Sequence, residues 1–174
     1  MTHSCRSERG GSTLMEFTLV GIPMIFVLFS AFEMARAMWT YHSLAYAVKE
    51  ATRYASVHGA SCTTSPNTCG VTIGRIATVL KNAGPALIPG QLTVTFTPSA
   101  GSATTGTLAT LVTNNTAWPP ASPSGANAIG QPVKISAKYP FRSAMSMFWP
   151  GAGGPQGALG LVYLPASSTD LIQF

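Results

Sequence analysis

Charge is what this sequence has least of. Only 9% of its 174 residues are Asp, Glu, Lys or Arg, against 46% hydrophobic, where a soluble protein carries about a quarter charged. Acids are scarcest: there are five, and from Cys62 onward the only one is Asp170. Glu16, Glu33 and Glu50 are strung along one N-terminal stretch, so the chain offers no paired carboxylates for acid–base work. His42 and His58 stand sixteen residues apart on a predicted helix, facing different sides, and read as surface histidines. No second Cys/His pair completes a zinc set. The run "GAGGPQG" lacks the Lys-Ser/Thr of a phosphate loop. The bases Arg75, Lys81, Lys134, Lys138 and Arg142 are scattered, with no aromatic-basic module for nucleic acid. These shortages leave no catalytic residue, metal site, cofactor, small-molecule substrate or nucleic-acid partner to expect. A sparsely charged surface rich in Thr, Ser, Gly and Pro fits an exported or assembling protein.

What the chain has in abundance is one apolar run. Ser12 to Phe32 contains a single charge, Glu16, in 21 residues. A helix of that length covers about 31 Å, the thickness of a hydrocarbon core. Arg6 and Arg9 precede it, which predicts a cytoplasmic N-terminus with the rest of the chain outside. A secretory signal peptide is the competing reading, with "ARA" at Ala35 to Ala37 as its cleavage site. The run is longer than a signal core of roughly 7–15 residues, and Glu16 sits inside its front edge. Of the three cysteines, Cys62 and Cys69 bracket the turn-forming "TTSPNT". In an oxidising compartment they would close a small disulfide loop, and otherwise they are two thiols or half of a metal site.

The helical pattern does not stop at Phe32. Ala37, Tyr41, Leu44, Val48, Ala51 and Ala55 keep helical spacing with no Pro or Gly before Gly59. Residues 12–58 therefore read as one helix of about 70 Å, membrane-embedded over 12–33 and amphipathic over 34–58, after a leader of residues 1–11. Pro23 removes a backbone hydrogen bond inside the apolar half and predicts a kink or local unwinding. Trp39, Tyr41 and Tyr46 suit an interfacial belt or a domain-packing surface. Residues 59–174 read as a small head domain. "VTIGRIATVLKNAG" places Ile73, Ile76, Ala77 and Leu80 on one helical side, ended by Gly84-Pro85. "QLTVTFTP" and "PVKISAKYP" alternate as half-buried strands, with Leu92, Val94 and Phe96, then Val133, Ile135, Ala137 and Tyr139, facing inward. "TLATLVT", "LGLVYLP" and "DLIQF" are further strand candidates, while "AWPPASPSGANAIGQ" and "PGAGGPQGALG" read as loops. The order of elements makes an α+β fold: a long helix packed on a small antiparallel sheet.

The stretch "RGGSTLMEF" carries the strongest motif. A basic leader, then Gly11, then four residues, then Glu16 opening an apolar helix, resembles the processing site of type IV prepilins. Within that superfamily, "EFTLVGIPMIFVLFSAFEMAR" followed by "EATRYASV" resembles the TadE-like pseudopilins of Tad (Flp-type) systems. The Glu-Phe opening, Pro23, Glu33 with Arg36, and Thr52 to Ala55 carry the likeness, which covers the first 58 residues, with "VKISAKYPF" a looser match in the head. The resemblance implies a pilin-like fold and cleavage after Gly11 by a membrane prepilin peptidase, making Ser12 the new N-terminus where type IV pilins commonly have Phe. It further implies an inner-membrane protein that works with other pilin subunits and the assembly platform, as a minor component rather than the bulk of the fibre.

Glu16 has a physical reading of its own. A carboxylate at the hydrocarbon edge is costly unless paired. After cleavage the α-amino group of Ser12 would lie about one turn away, and a neighbouring subunit's amine could come as near. An acid in the first turn also interacts favourably with the helix dipole. The alternative is a snorkelling interfacial acid. Glu33 and Arg36 mark the membrane boundary or a subunit contact. The alternative for the whole chain is a membrane-tethered binding or adhesion protein whose helix is only an anchor.

Overall fold

A helix apolar on every side for one half and on one side for the other must sit in two environments, and the long N-terminal helix does so. The computed structural model describes residues 10–59, 71–121, 125–143 and 161–173, with side chains in the first helix from Thr13 onward. α1 runs Gly10–Ser56, 47 residues or about 70 Å. From Thr13 to Phe32 every residue but Gly21 is exposed. Beyond Thr40 the helix turns a seam of small residues to the head: Leu44, Ala47, Val48, Ala51, Thr52, Ala55 and Ser56 are buried. The expected seam is one residue off at its start, because Thr40 is packed and Tyr41 is 42% exposed. Small side chains let the sheet approach the helix closely, and a phenol there would hold it away. The hydroxyls that this seam buries are satisfied locally, Thr52 Oγ1 donating to the Val48 carbonyl at 2.8 Å.

The second helix, α2 (Ile73–Ala83), starts at Thr72, whose side chain accepts from the Arg75 N–H, and ends at Gly84. Its buried side is the predicted one: Ile73, Ile76, Ala77 and Leu80. Four antiparallel strands follow: β1 (Thr93–Thr97), β2 (Thr104–Thr107), β3 (Pro132–Arg142) and β4 (Leu161–Leu171), in the order β2-β1-β3-β4. Val94 and Phe96 of β1 and Val133, Ile135, Ala137, Tyr139 and Phe141 of β3 face the helices, and the Trp118 and Phe96 rings form a T-shaped pair with centroids 5.3 Å apart. Thr, Ser and Lys occupy the alternate, solvated positions, as an antiparallel sheet with one covered face requires. The result is the expected α+β arrangement of a long N-terminal helix and a four-stranded antiparallel sheet.

Two pins fix α1 against this sheet. At the far end Ser56 Oγ donates to Asp170 Oδ2 at 3.0 Å, and the Gln173 N–H donates to the Ser56 carbonyl at 2.9 Å. At the near end the Arg36 guanidinium donates to the Arg142 carbonyl. Asp170 pairs with Val133 and so marks one end of β3, while Arg142 marks the other. Helix rise from Arg36 to Ser56 and strand rise from Val133 to Arg142 are both about 30 Å. β3 therefore runs antiparallel to the packed half of α1 over its whole length.

Two strand expectations are corrected. "TLATLVT" is not a strand: Leu108–Leu111 forms a single helical turn, α3. Its Thr-rich composition suggested extended chain, but the buried pair Leu108 and Leu111 stands three apart, a helical and not a strand interval. The Ala109 N–H donates to the Pro89 carbonyl and Leu108 N–H to the Leu92 carbonyl, which tie the turn to the chain before β1. β2 just ahead of it carried too little apolar residue to be read. "LGLVYLP" and "DLIQF" are largely one strand, β4, running through Pro165. β4 lies at the sheet edge, where proline is tolerated. Its last expected residue pair, Ile172 and Gln173, leaves the strand to close over the end of α1. "PGAGGPQGALG", Cys5, Cys62 and Cys69 lie outside the described residues.

Candidate anchoring and assembly helix

The first half of α1 is apolar around its full circumference. Leu14, Phe17, Leu19, Val20, Val27, Leu28, Phe29 and Phe32 are each at least 60% exposed. The window most able to cross a membrane has none of its residues buried in the chain, unlike the core helix of a soluble protein. A helix hydrophobic all round needs a bilayer or a bundle of its own kind. Its few polar groups are turned inward along the backbone: Thr18 Oγ1 donates to the Leu14 carbonyl at 3.0 Å and Ser30 Oγ to the Phe26 carbonyl at 2.8 Å. This removes the desolvation cost of a hydroxyl in hydrocarbon.

The residues singled out by sequence fall along this helix. Gly11 and Ser12 lie in its first turn, which begins at Gly10. Glycine favours the helix about 1 kcal/mol less than alanine, so Gly10 and Gly11 make that turn easy to unwind. Glu16 is exposed, one turn beyond Ser12. Pro23 lies within the helix, which continues across it. Glu16 and the Glu33–Arg36 pair are thus at opposite ends of the apolar run, about 26 Å apart along the axis.

The upper end is a compact polar junction. Arg36 Nη2 pairs with Glu33 Oε2 at 3.1 Å, its guanidinium lies 4.7 Å from the centre of the Phe141 ring, and it also holds the Arg142 carbonyl. Helical spacing pairs Arg36 with Glu33 three residues away, but nothing local signals the sheet contacts, of which the bond to Arg142 joins residues 106 positions apart. Asp170 as the bond partner of Ser56 was equally hidden, although its being the head's one acid set it apart. Trp39, Tyr41 and Tyr46 are exposed on the helix above the junction, Trp39 the most so at 72%. His58 is not on the helix surface proper: it lies just past the end of α1, half-buried, with Nδ1 2.7 Å from the Tyr54 carbonyl and its ring tilted on that of Tyr54.

Among curated proteins and solved structures none matches the chain. The family model described as TadE-like protein matches residues 11–53, from the glycine before Ser12 to the last packed turns of α1. That family is pilus-associated and structural in kind, and the match spans the Glu-Phe opening, Pro23 and the Glu33–Arg36 pair on which the resemblance rested. Over residues 11–53, which make up most of its long N-terminal helix, the chain is similar to the TadE-like, Tad pilus-associated family.

Proposed function

We propose that this protein is a minor pilin or pseudopilin of a Tad-type pilus or secretion system. Residues 1–11 would be its leader, 12–58 its anchoring and assembly helix, and 59–174 its extracytoplasmic head. A prepilin peptidase would cut after Gly11, leaving the helix in the inner membrane with the N-terminus cytoplasmic and the head outside. There a Cys62–Cys69 disulfide is compatible with the compartment. The observation that carries this reading is the single helix, bare and apolar for its first half and core to a small head for its second. Such a helix can pass from lipid into a bundle of like helices without refolding, since its apolar surface meets either environment equally well.

Glu16 has a defined part in that transfer. It sits one turn from the amine that cleavage would create, or from the amine of the neighbouring subunit. Pairing there would offset the cost of carrying a carboxylate into an apolar bundle. The experiment is to purify sheared pili from cells producing wild type, Glu16→Ala or Gly11→Ala protein and to quantify this chain by mass spectrometry. Wild type is expected at a small fraction of the major subunit. Glu16→Ala should be processed normally and largely missing from fibres, and Gly11→Ala should remain unprocessed. Normal incorporation of both variants would reject the pilin reading in favour of a simple membrane anchor.

A further inference from the structure

A cleft of about 380 Å³ opens where the head meets the apolar half of α1, lined among others by Arg36, Trp39, Thr40, Tyr139, Phe141 and Arg142. Its size is within the range of small-molecule sites, and its height is fixed by the helix. The apolar run from Thr13 to Phe32 covers about 30 Å, a full hydrocarbon core, and the headgroup layer beyond is about 5–7 Å deep on each side. Arg36 is four residues past Phe32, about 6 Å higher, and so stands at the level of the phosphates. The bond from Arg36 to the Arg142 carbonyl brings the end of β3 to the same level.

We propose that this cleft binds the headgroup phosphate of an anionic phospholipid in the leaflet on the head side of the membrane. The proposal rests on the bare half of α1 spanning that membrane. Three observations favour this occupant. Among the described residues the cleft is lined by two arginines, Arg36 and Arg142, against one carboxylate, Glu33, which pairs with Arg36; the formal balance leaves one positive charge for one phosphodiester. The two hydrogen bonds described for the Arg36 guanidinium are both made by Nη2, and a guanidinium carries five donors in a fork suited to phosphate oxygens. Trp39 is 72% exposed beside the cleft, and a helical side chain leans over the turn before it, which aims the indole down toward the membrane, where tryptophan is favoured. Phe141 and the Thr40 side of α1 close the back wall, so an anion in the cleft would be only partly screened by water.

The test uses the full chain reconstituted in vesicles of phosphatidylcholine mixed with phosphatidylglycerol, then released in mild detergent for native mass spectrometry. Wild type is expected to retain phosphatidylglycerol in preference to phosphatidylcholine. Arg142→Gln should reduce that retention about tenfold, the effect of one charge-assisted contact. It leaves the carbonyl that pins Arg36 in place, so the head stays folded. Lys138→Gln removes the same charge about 13 Å further up β3 and should change nothing. Equal retention of both lipids, or equal loss in Arg142→Gln and Lys138→Gln, overturns the proposal. A dimer without lipid that Trp39→Ala dissociates overturns it in favour of a second copy in the cleft. Failure of the wild type to float with vesicles would instead overturn the membrane-spanning reading beneath it, and the proposal with it.

Discussion

The two halves of α1 can be set against each other with one substitution made twice. Leu44 is fully buried in the head core and Leu28 is 60% exposed on the bare half. Leu→Ala at a buried site loses the transfer free energy of the side chain and leaves a cavity, together about 2–5 kcal/mol. Leu44 lies on a seam of alanines and Thr52, whose short side chains cannot swing into the gap, so about 3 kcal/mol is expected. For a chain of this size that lowers Tm by about 6–12 °C. Leu28→Ala removes the same atoms where no head residue touches them, and leucine and alanine are both strong helix formers; head stability should change by less than about 0.5 kcal/mol. The assay is thermal unfolding in detergent micelles, followed by near-ultraviolet circular dichroism, with Trp118 against Phe96 as the reporter of core packing. Equal losses in the two variants would refute the division of α1 into a bare and a packed half.

Two further substitutions probe the head. A Cβ at Gly74 would meet the Val112 carbonyl oxygen at 2.6 Å and that of Asn114 at 2.8 Å, both backbone atoms. Gly74→Ala must push α2 off the strap that follows α3 and is expected to cost about 1–3 kcal/mol, read as a fall in the denaturation midpoint; an unchanged midpoint would show that the strap yields freely. Asp170→Asn weakens the charge-assisted bond from Ser56 that ties β4 to the end of α1, with an expected loss of about 1–2 kcal/mol and faster amide exchange at Gln173, whose N–H is bonded to the Ser56 carbonyl. No change in that exchange would mean the C-terminal closure does not depend on the bond.

Much of this architecture was legible because it is written in local periodicity. The unbroken helix, the buried side of α2 and the inward residues of β1 and β3 all follow from spacings of 3.6 or 2 within a few residues. Legibility failed where one residue type suits two structures. Threonine suggested a strand over residues 107–113, and only the interval between Leu108 and Leu111 betrayed a turn. Tyr41 fitted the helical seam by position, but the distance between helix and sheet decided for the smaller Thr40. The pins Arg36–Arg142 and Ser56–Asp170 join residues more than a hundred positions apart, and no local pattern encodes such a pair. The proposed processing site at Gly11 is of the opposite kind: it rests on linear sequence alone and asks nothing of the fold.

The central claim is that this helix is presented to the membrane, and then to other pilin subunits, as a cleaved one beginning at Ser12. N-terminal sequencing of protein purified from membranes of cells with and without a prepilin peptidase tests it most directly. The account predicts a start at Ser12 in the first case and uncleaved leader in the second. A Met1 start in both would reduce α1 to a plain anchor, and a start near Met38 would show that the apolar half is a discarded signal, contradicting the account.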